Sequence, residues 1–452
     1  MILIVNILFS ILSLCLVYLA PTEYSYSFCV TINVLFVVQN ILYFSLRNDD
    51  GLVCFEFFFM LAFWFTNFVY PVFYYPTNPH FSMFSSKFNE NIITKSTAIA
   101  YLGYSVFLLG ISNSRRMLSY YANKDPFVFD NRKLKLLFYF SFIFFFFYMT
   151  FGGLEHLRNV YSGGADIRQV GVYSYFLNLF TIATLLMAMF LFRQKNRKII
   201  SIYGFYLLVV MLLFISTGTR GIVLGIGLIL LFTYNKYVRR ISKIQLITLI
   251  VFGALFLTFI VYGRTTSLFS KHWMDAMVLK LRVTSFFDLF SDLIINNRNL
   301  YVLVNYADSV RHTYFFGMLT DIVSPIPGLA RYIIGIFHVP VELITGGALP
   351  TYLTLGPNSA LGLGTNMIGE AYVSFGLFGV ICFMYILGWI IKASRNASEY
   401  NIYAFVIYYL FVSHTVFYPR APILFEPRTI VWSLILIYFL TKKYVIRTPT
   451  IY

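Results

Sequence analysis

The sequence predicts an all-α polytopic membrane protein, and three features lead there. Of its 452 residues, 59% are hydrophobic and only 12% charged, with a mean hydropathy of +0.75, where an ordinary soluble domain carries about 25% charged residues. A dozen apolar runs reach roughly the 17–25 residues that a membrane helix needs. Between those runs the basic residues alternate, heavy in every second gap and sparse in the others. Helices are expected because an open segment in lipid must satisfy its own backbone hydrogen bonds.

In chain order the expected spans are about residues 2–20, 27–46, 52–74, 97–113, 134–152, 173–192, 199–216, 221–236, 244–263, 371–391, 401–418 and 429–445. The first lacks a basic leader and reads as a retained helix, not a cleaved signal. Tyrosines near span ends, such as Tyr24, Tyr26, Tyr70, Tyr74, Tyr75, Tyr120 and Tyr121, fit interfacial belts. The even gaps and the tail hold about twenty Lys and Arg, among them Arg115, Arg116, Arg193, Arg239, Arg240, Lys392 and Lys442, and the short odd gaps about seven. By the positive-inside rule both termini are cytoplasmic and residues 264–370 form a large outer loop. The runs at 97–113 and 199–216 are the weakest, yet the alternation holds only with both. This divides the chain into residues 1–263 with nine spans, the outer loop 264–370, and residues 371–452 with three spans and a cytoplasmic tail.

The net charge of +16 lies in short cytoplasmic loops, where it sets topology, so no nucleic-acid partner is expected. Cys15, Cys29, Cys54 and Cys382 fall within apolar runs far apart and read as small apolar residues. There is no His-x-x-x-His, Asp-x-Asp or Walker A segment, so neither a metal nor ATP is expected, and no cofactor is implied. The halves show no similarity, which weakens a transporter built on inverted repeats.

The outer loop reads as a partly helical cap on the membrane surface, with a re-entrant loop as the other option. Trp273, Met277 and Leu281, and Phe286, Phe290 and Leu293, recur at helical spacing. Ser324-Pro-Ile-Pro-Gly328 is a turn, since two prolines fix φ and remove donors. Ile333 to Val341 is apolar but too short to span. Gly346, Gly347, Pro350, Gly356, Pro357, Gly362 and Gly364 make an irregular approach to Gly369-Glu370.

Four groups of residues could carry chemistry. Arg220 opens the eighth run within Thr217-Gly-Thr-Arg-Gly221. A helix N-terminus with a guanidinium suits a phosphate or pyrophosphate, and equally a boundary arginine snorkelling to headgroups. The outer segments also hold Arg158, Arg168, Arg264, Arg282, Arg298, Arg311, Arg331, Arg420 and Arg428, against only Lys87, Lys95, Lys271 and Lys280. That bias fits bidentate recognition of phosphate or carboxylate, although acids such as Asp288, Asp292, Asp308 and Asp321 could pair with these arginines instead. His312, Glu342 and Glu370 are candidates for proton transfer. Glu370 opens the tenth run, where it either caps the helix or faces a polar cavity. Glu56 and His414 are polar groups within spans: Glu56 could snorkel to the inner surface, and His414 could line a cavity.

Three segments together resemble the Wzy-type O-antigen and oligosaccharide repeat unit polymerases, including the related enterobacterial common antigen polymerase. They are Gly218-Thr-Arg-Gly221 opening an apolar span, the outer loop from Arg264 through Asn305-Tyr306 and Arg311 to Pro325-Ile-Pro, and Asn358-Ser-Ala-Leu-Gly-Leu-Gly-Thr-Asn-Met-Ile-Gly-Glu-Ala-Tyr372 with Phe375-Gly-Leu-Phe-Gly379. The resemblance covers most of the chain in topology and about thirty residues in motif. An Arg-x10-Gly pattern of some members is absent, because Gln169, Leu179, Leu293, Ile322 and Glu342 stand eleven residues after Arg158, Arg168, Arg282, Arg311 and Arg331.

The resemblance implies a GT-C-like integral-membrane glycosyltransferase that joins glycan units carried on undecaprenyl pyrophosphate, at the periplasmic face of the bacterial inner membrane and without a metal. Carried over to these residues, Arg220 would bind the lipid pyrophosphate and the Glu370-Ala-Tyr segment would frame the cavity. Outside the membrane no nucleotide sugar is supplied, so the donor must arrive already activated on a lipid. Fixed arginines would stabilise its pyrophosphate as it leaves, and Glu370 or His312 would accept the proton. Expected partners are the lipid-linked glycan, membrane lipids, and a chain-length regulator and flippase of the same pathway. An O-antigen ligase, or a flippase or transporter of lipid-linked oligosaccharide, is the alternative.

Overall fold

Helices form where the apolar runs lie. The computed structural model describes residues 1–47, 51–80, 88–113, 127, 129–153, 172–194, 196–216, 220–265, 287, 290–337, 343–357, 359, 362–424 and 426–441, with the side chains of 216, 256–265 and 337 excepted. The first half contains α1 (Ile2–Leu19), α2 (Tyr26–Ser45), α3 (Phe55–Asn67), α4 (Ile92–Ser112), α5 (Asn131–Tyr148), α6 (Val172–Leu191), α7 (Arg197–Ser216), α8 (Arg220–Tyr237) and α9 (Lys243–Thr265). Within the expected cap the described residues include five short α-helices: α10 (Ser291–Ile294), α11 (Asn297–Ser309), α12 (Leu319–Val323), α13 (Leu329–Phe337) and α14 (Leu349–Leu355). The chain then continues through α15 (Met367–Ala397), α16 (Ile402–His414) and α17 (Pro427–Thr441). The described residues contain no strand. Among the described residues, seven helices are long and apolar enough to cross a membrane: α1, α2, α4, α5 with its following π turn, α6, α7 and α15. Helices α3, α8, α9, α16 and α17 occupy the other five expected runs. The Trp273 to Leu281 spacing lies outside the described residues.

Burial separates the inner helices from the lipid-facing ones. The apolar window of α4 is 83% buried and that of α1 only 17%, so α4 is central and α1 peripheral. Lipid supplies no hydrophobic drive between helices, and small residues that let backbones approach do that work. A Cβ on Gly110 would overlap the carbonyl of Tyr385, and one on Gly388 that of Phe107, so α4 and α15 touch backbone to backbone. Polar pairs add to the packing. Tyr104 Oη donates to Asn40 Oδ1 at 2.5 Å, Ser105 Oγ to Gln39 Oε1 at 2.9 Å, and Asn6 Nδ2 to Ser112 Oγ at 2.7 Å.

Two departures from the expected spans have local causes. Helix α3 gives way to a π turn at Tyr70–Tyr74, where Pro71 removes a backbone donor. Helix α15 starts four residues before the expected span, because Asn366 Oδ1 accepts from Ile368 N at 3.0 Å and Gly369 N at 3.3 Å, an N-cap. It is broken at Phe375 and Gly376. Gly376 has a φ of +61°, which only glycine adopts readily. The carbonyl of Val373 accepts from Thr313 N at 2.8 Å, so the cap holds the short segment 367–374 beside the break.

Glu56 does not simply snorkel. It is 1% exposed and lies 3.1 Å from Arg395 Nη1 and 3.8 Å from Arg47 Nη1. That buried cluster ties the start of α3 to the C-terminal end of α15.

Candidate active site

Helices α3, α8 and α9 leave a cavity of about 920 Å³ between them. Its wall is apolar, with Phe58, Phe65, Leu224, Leu228, Leu231 and Leu249 among the lining residues. Arg220, Asp292 and Arg420 line one end, and Arg239 and Arg240 the other. The cavity follows α8, whose 18 residues extend about 27 Å at 1.5 Å per residue. A long apolar trough with guanidinium groups at its ends matches an amphiphile with an anionic head.

The Arg220 end is built from three elements. Arg220 is the first residue of α8, and its Nη2 forms an ion pair with Asp292 Oδ2 on α10. Arg420 sits in a 3-10 turn, Tyr418–Arg420, between α16 and α17. Its Nη1 donates to the backbone carbonyl of Asp292 at 3.2 Å. Two guanidinium groups from separate elements thus meet at one residue. Burial works against the charged form of Arg420, and the Asp292 carboxylate offsets this. Asp292 itself is 42% exposed, so an incoming anion can compete with it for Arg220. The flanking Thr217, Gly218 and Thr219 lie outside the described residues.

Glu370 lies in the first turn of α15 and is 2% exposed. Its Oε2 accepts from Ile423 N at 2.6 Å, so the segment 420–423 holds a cavity-lining guanidinium at one end and the carboxylate at the other. Gly346 packs against Glu370 Oε1 so closely that a Cβ there would overlap it. Asp321 on α12 is near enough to act electrostatically on Glu370. Burial pushes the Asp321 carboxyl up to about 6, and the backbone amide of Gly346 partly offsets this.

The other sequence candidates are dispersed. His312 is at the opposite end of α11 from Asp292 and packs near Gly376 and the ring of Tyr372. The 13 residues of α11 put about 20 Å between the two ends. Arg428 Nε donates to Ser324 O at 2.8 Å, and its guanidinium stacks over Tyr175 and Trp432, so it braces the Ser324-Pro turn. Arg311 and Arg331 are exposed on the cap. Arg298 is 1% exposed and donates to Asn299 Oδ1 at 3.5 Å; burial pulls its guanidinium down to about 10. Arg158, Arg168, Arg282 and Glu342 lie outside the described residues, as does the side chain of Arg264. His414 hydrogen-bonds Ser413 Oγ at 2.8 Å and lies 3.7 Å from Glu426 Oε2. Among the described residues no three His, Cys, Asp or Glu side chains gather in a metal-holding group.

Nothing in the sequence separates Asp292 and Asp321 from the other acids of this region, or Gly346 from its many turn-formers. Only their meeting in space distinguishes them.

The family model described as O-antigen polysaccharide polymerase Wzy matches residues 1–449. The chain belongs to the Wzy family. Membership makes it an integral membrane enzyme that polymerises O-antigen repeat units. No curated protein and no solved structure matches the chain. In this Wzy family member, the apolar cavity, the two arginines and the Glu370 segment are neighbours.

Proposed function

We propose that the chain polymerises undecaprenyl-pyrophosphate-linked oligosaccharide repeat units into O-antigen-type surface polysaccharide at the periplasmic face of the inner membrane. Twelve spans, cytoplasmic termini and an outer cap over residues 264–370 complete the topology of a metal-independent, GT-C-like glycosyltransferase. A chain-length regulator and a flippase of the same pathway are its expected partners.

The observation that carries this reading is the convergence of Arg220 and Arg420 at one end of the apolar cavity. The polyprenyl tail lies along α8, and the pyrophosphate replaces Asp292 against Arg220. The bond between sugar C1 and the pyrophosphate oxygen breaks, and its electron pair leaves with the pyrophosphate. The acceptor hydroxyl oxygen bonds to C1, and its proton passes to Glu370. The fixed guanidinium groups stabilise the charge gathering on the leaving group without reorganising.

The test is complementation of a strain that lacks the protein. Arg220→Ala is expected to leave surface glycan capped by a single repeat unit at normal membrane levels of protein. Arg220→Lys should also be poor, because lysine presents a point charge instead of a planar fork. Undiminished long chains with Arg220→Ala would reject the reading.

A further inference from the structure

Glu370 Oε1 is buried and has no hydrogen-bond partner among the described residues, and the same holds for Asp321 Oδ2. Both carboxyl groups bear on Gly346: Glu370 by contact, Asp321 through the backbone amide. The arrangement is clamped. Thr320 N and Thr320 Oγ1 donate to Ile344 O at 3.1 and 3.0 Å, and Thr320 Oγ1 lies 2.8 Å from Thr345 Oγ1. These bonds hold α12 against the 344–346 segment, so Asp321 is delivered beside Glu370. Two carboxylates so placed cannot both carry a full charge at low cost, and the usual resolution is one proton between them.

We propose that Asp321 is a positioning residue for the polymerase reaction, sharing a single proton with Glu370 across Gly346. This rests on the polymerase reading and extends it. The pair enters with one negative charge. When the acceptor oxygen bonds to sugar C1, its proton moves to the pair, which becomes neutral. The electron pair of the broken C1–O bond stays on the pyrophosphate, which gains one negative charge, so charge balances. Asp321 touches no substrate and sets the proton occupancy of Glu370.

Among the described residues, the other charged groups on the elements packed around the pair are engaged elsewhere or stand apart from it. Asp308 holds Lys95 Nζ at 2.5 Å and accepts from Tyr372 Oη at 2.8 Å. Arg420 bonds to Asp292, Arg428 to Ser324, and Glu426 to Thr429 Oγ1 at 2.8 Å. Arg298 is hydrogen-bonded on α11, His312 lies at the far end of that helix, and Arg331 points outward on α13. That leaves Asp321 as the acid whose charge acts on Glu370.

The test uses the full-length protein in proteoliposomes, with lipid-linked repeat units extracted from a strain lacking it. For Asp321→Asn, kcat at pH 7 is expected to fall about tenfold or more while KM changes less than about twofold. The rising limb of kcat against pH should move to higher pH, because Glu370 alone must then lose the proton that either acid of the pair could lose, and Asp321→Glu should restore part of the rate. A purely structural role would lower the amount of active protein and leave the limb in place. Wild-type kcat with an unshifted limb in Asp321→Asn would overturn the proposal. If Asp321→Asn fails to accumulate, the wild-type infrared spectrum decides: a protonated-carboxyl band at pH 7 that Glu370→Gln removes supports the shared proton, and its absence refutes it. Arg220→Ala separates the two claims. Activity in Arg220→Ala rejects the pyrophosphate reading, whereas a dead Arg220→Ala beside a wild-type Asp321→Asn rejects the carboxyl pairing alone.

Discussion

Arg220 and Asp292 form an ion pair at the mouth of an apolar cavity, the first residue of α8 meeting an acid of the short helix α10. Their side chains are 21% and 42% exposed, and pairs this open are worth roughly 0–1 kcal/mol. Asp292 therefore holds Arg220 in place without sealing it. On the proposed reading, a pyrophosphate, with more charge and more acceptor oxygens, would displace it.

Asp292→Asn should accordingly favour binding. Removing the competing carboxylate is expected to lower KM for the lipid-linked unit by up to about fivefold, the equivalent of about 1 kcal/mol. Steady-state kinetics in proteoliposomes measure it. A raised KM would mean that Asp292 assists the ligand instead of standing in its place.

Gly346→Ala should inactivate the enzyme without adding or removing an ionisable group. The added methyl overlaps Glu370 Oε1, and overpacking of this kind costs about 1–3 kcal/mol. Glu370 must then leave its hydrogen bond from Ile423 N. Activity per molecule is expected to drop as far as in Glu370→Gln, with protein levels close to normal. Full activity in Gly346→Ala would show that the carboxyl does not work from the observed position.

Asp321 gives the stability a defined pH dependence. Burial raises its carboxyl from the ordinary 3.8 to about 6, so the folded protein binds this proton more tightly than the unfolded chain. Its contribution is complete below about pH 4 and is lost as pH rises through about 6. The difference in detergent melting temperature between wild type and Asp321→Asn should change over that interval and level off above it. A constant difference from pH 4 to 7 would contradict the assignment.

Glu56 is expected to matter for folding, not for chemistry. With Arg395 and Arg47 beside it in a buried cluster, Glu56→Gln leaves guanidinium charge uncompensated, which costs about 3–5 kcal/mol. Membrane levels should collapse while the surviving molecules keep their kcat. Normal levels measured by immunoblot would contradict this.

The helical class and the helix positions were legible because lipid demands long apolar runs, and the charge between them was read as topology. The helix start at Arg220 is legible as well, since glycines and a new apolar run surround it in the sequence. The breaks were harder to see. Pro71 and Gly376 interrupt helices that hydropathy alone would continue. Tertiary placement was not legible: Arg420 and Asp292 are 128 positions apart, and Ile423 and Glu370 are 53 apart. His312 and Arg428 carry suitable chemistry in the sequence, yet one sits at the far end of α11 and the other braces a turn. Residue type suggests what a side chain could do, and packing decides what it meets.

The most direct measurement is photocrosslinking from inside the cavity. A photoreactive amino acid at Leu231, on the cavity wall, should capture the lipid-linked repeat unit in wild-type membranes, and Arg220→Ala combined with Arg420→Ala should abolish that capture. Capture that persists undiminished in the double variant, or is absent from the active wild type, would contradict a cavity that holds the lipid carrier by its pyrophosphate.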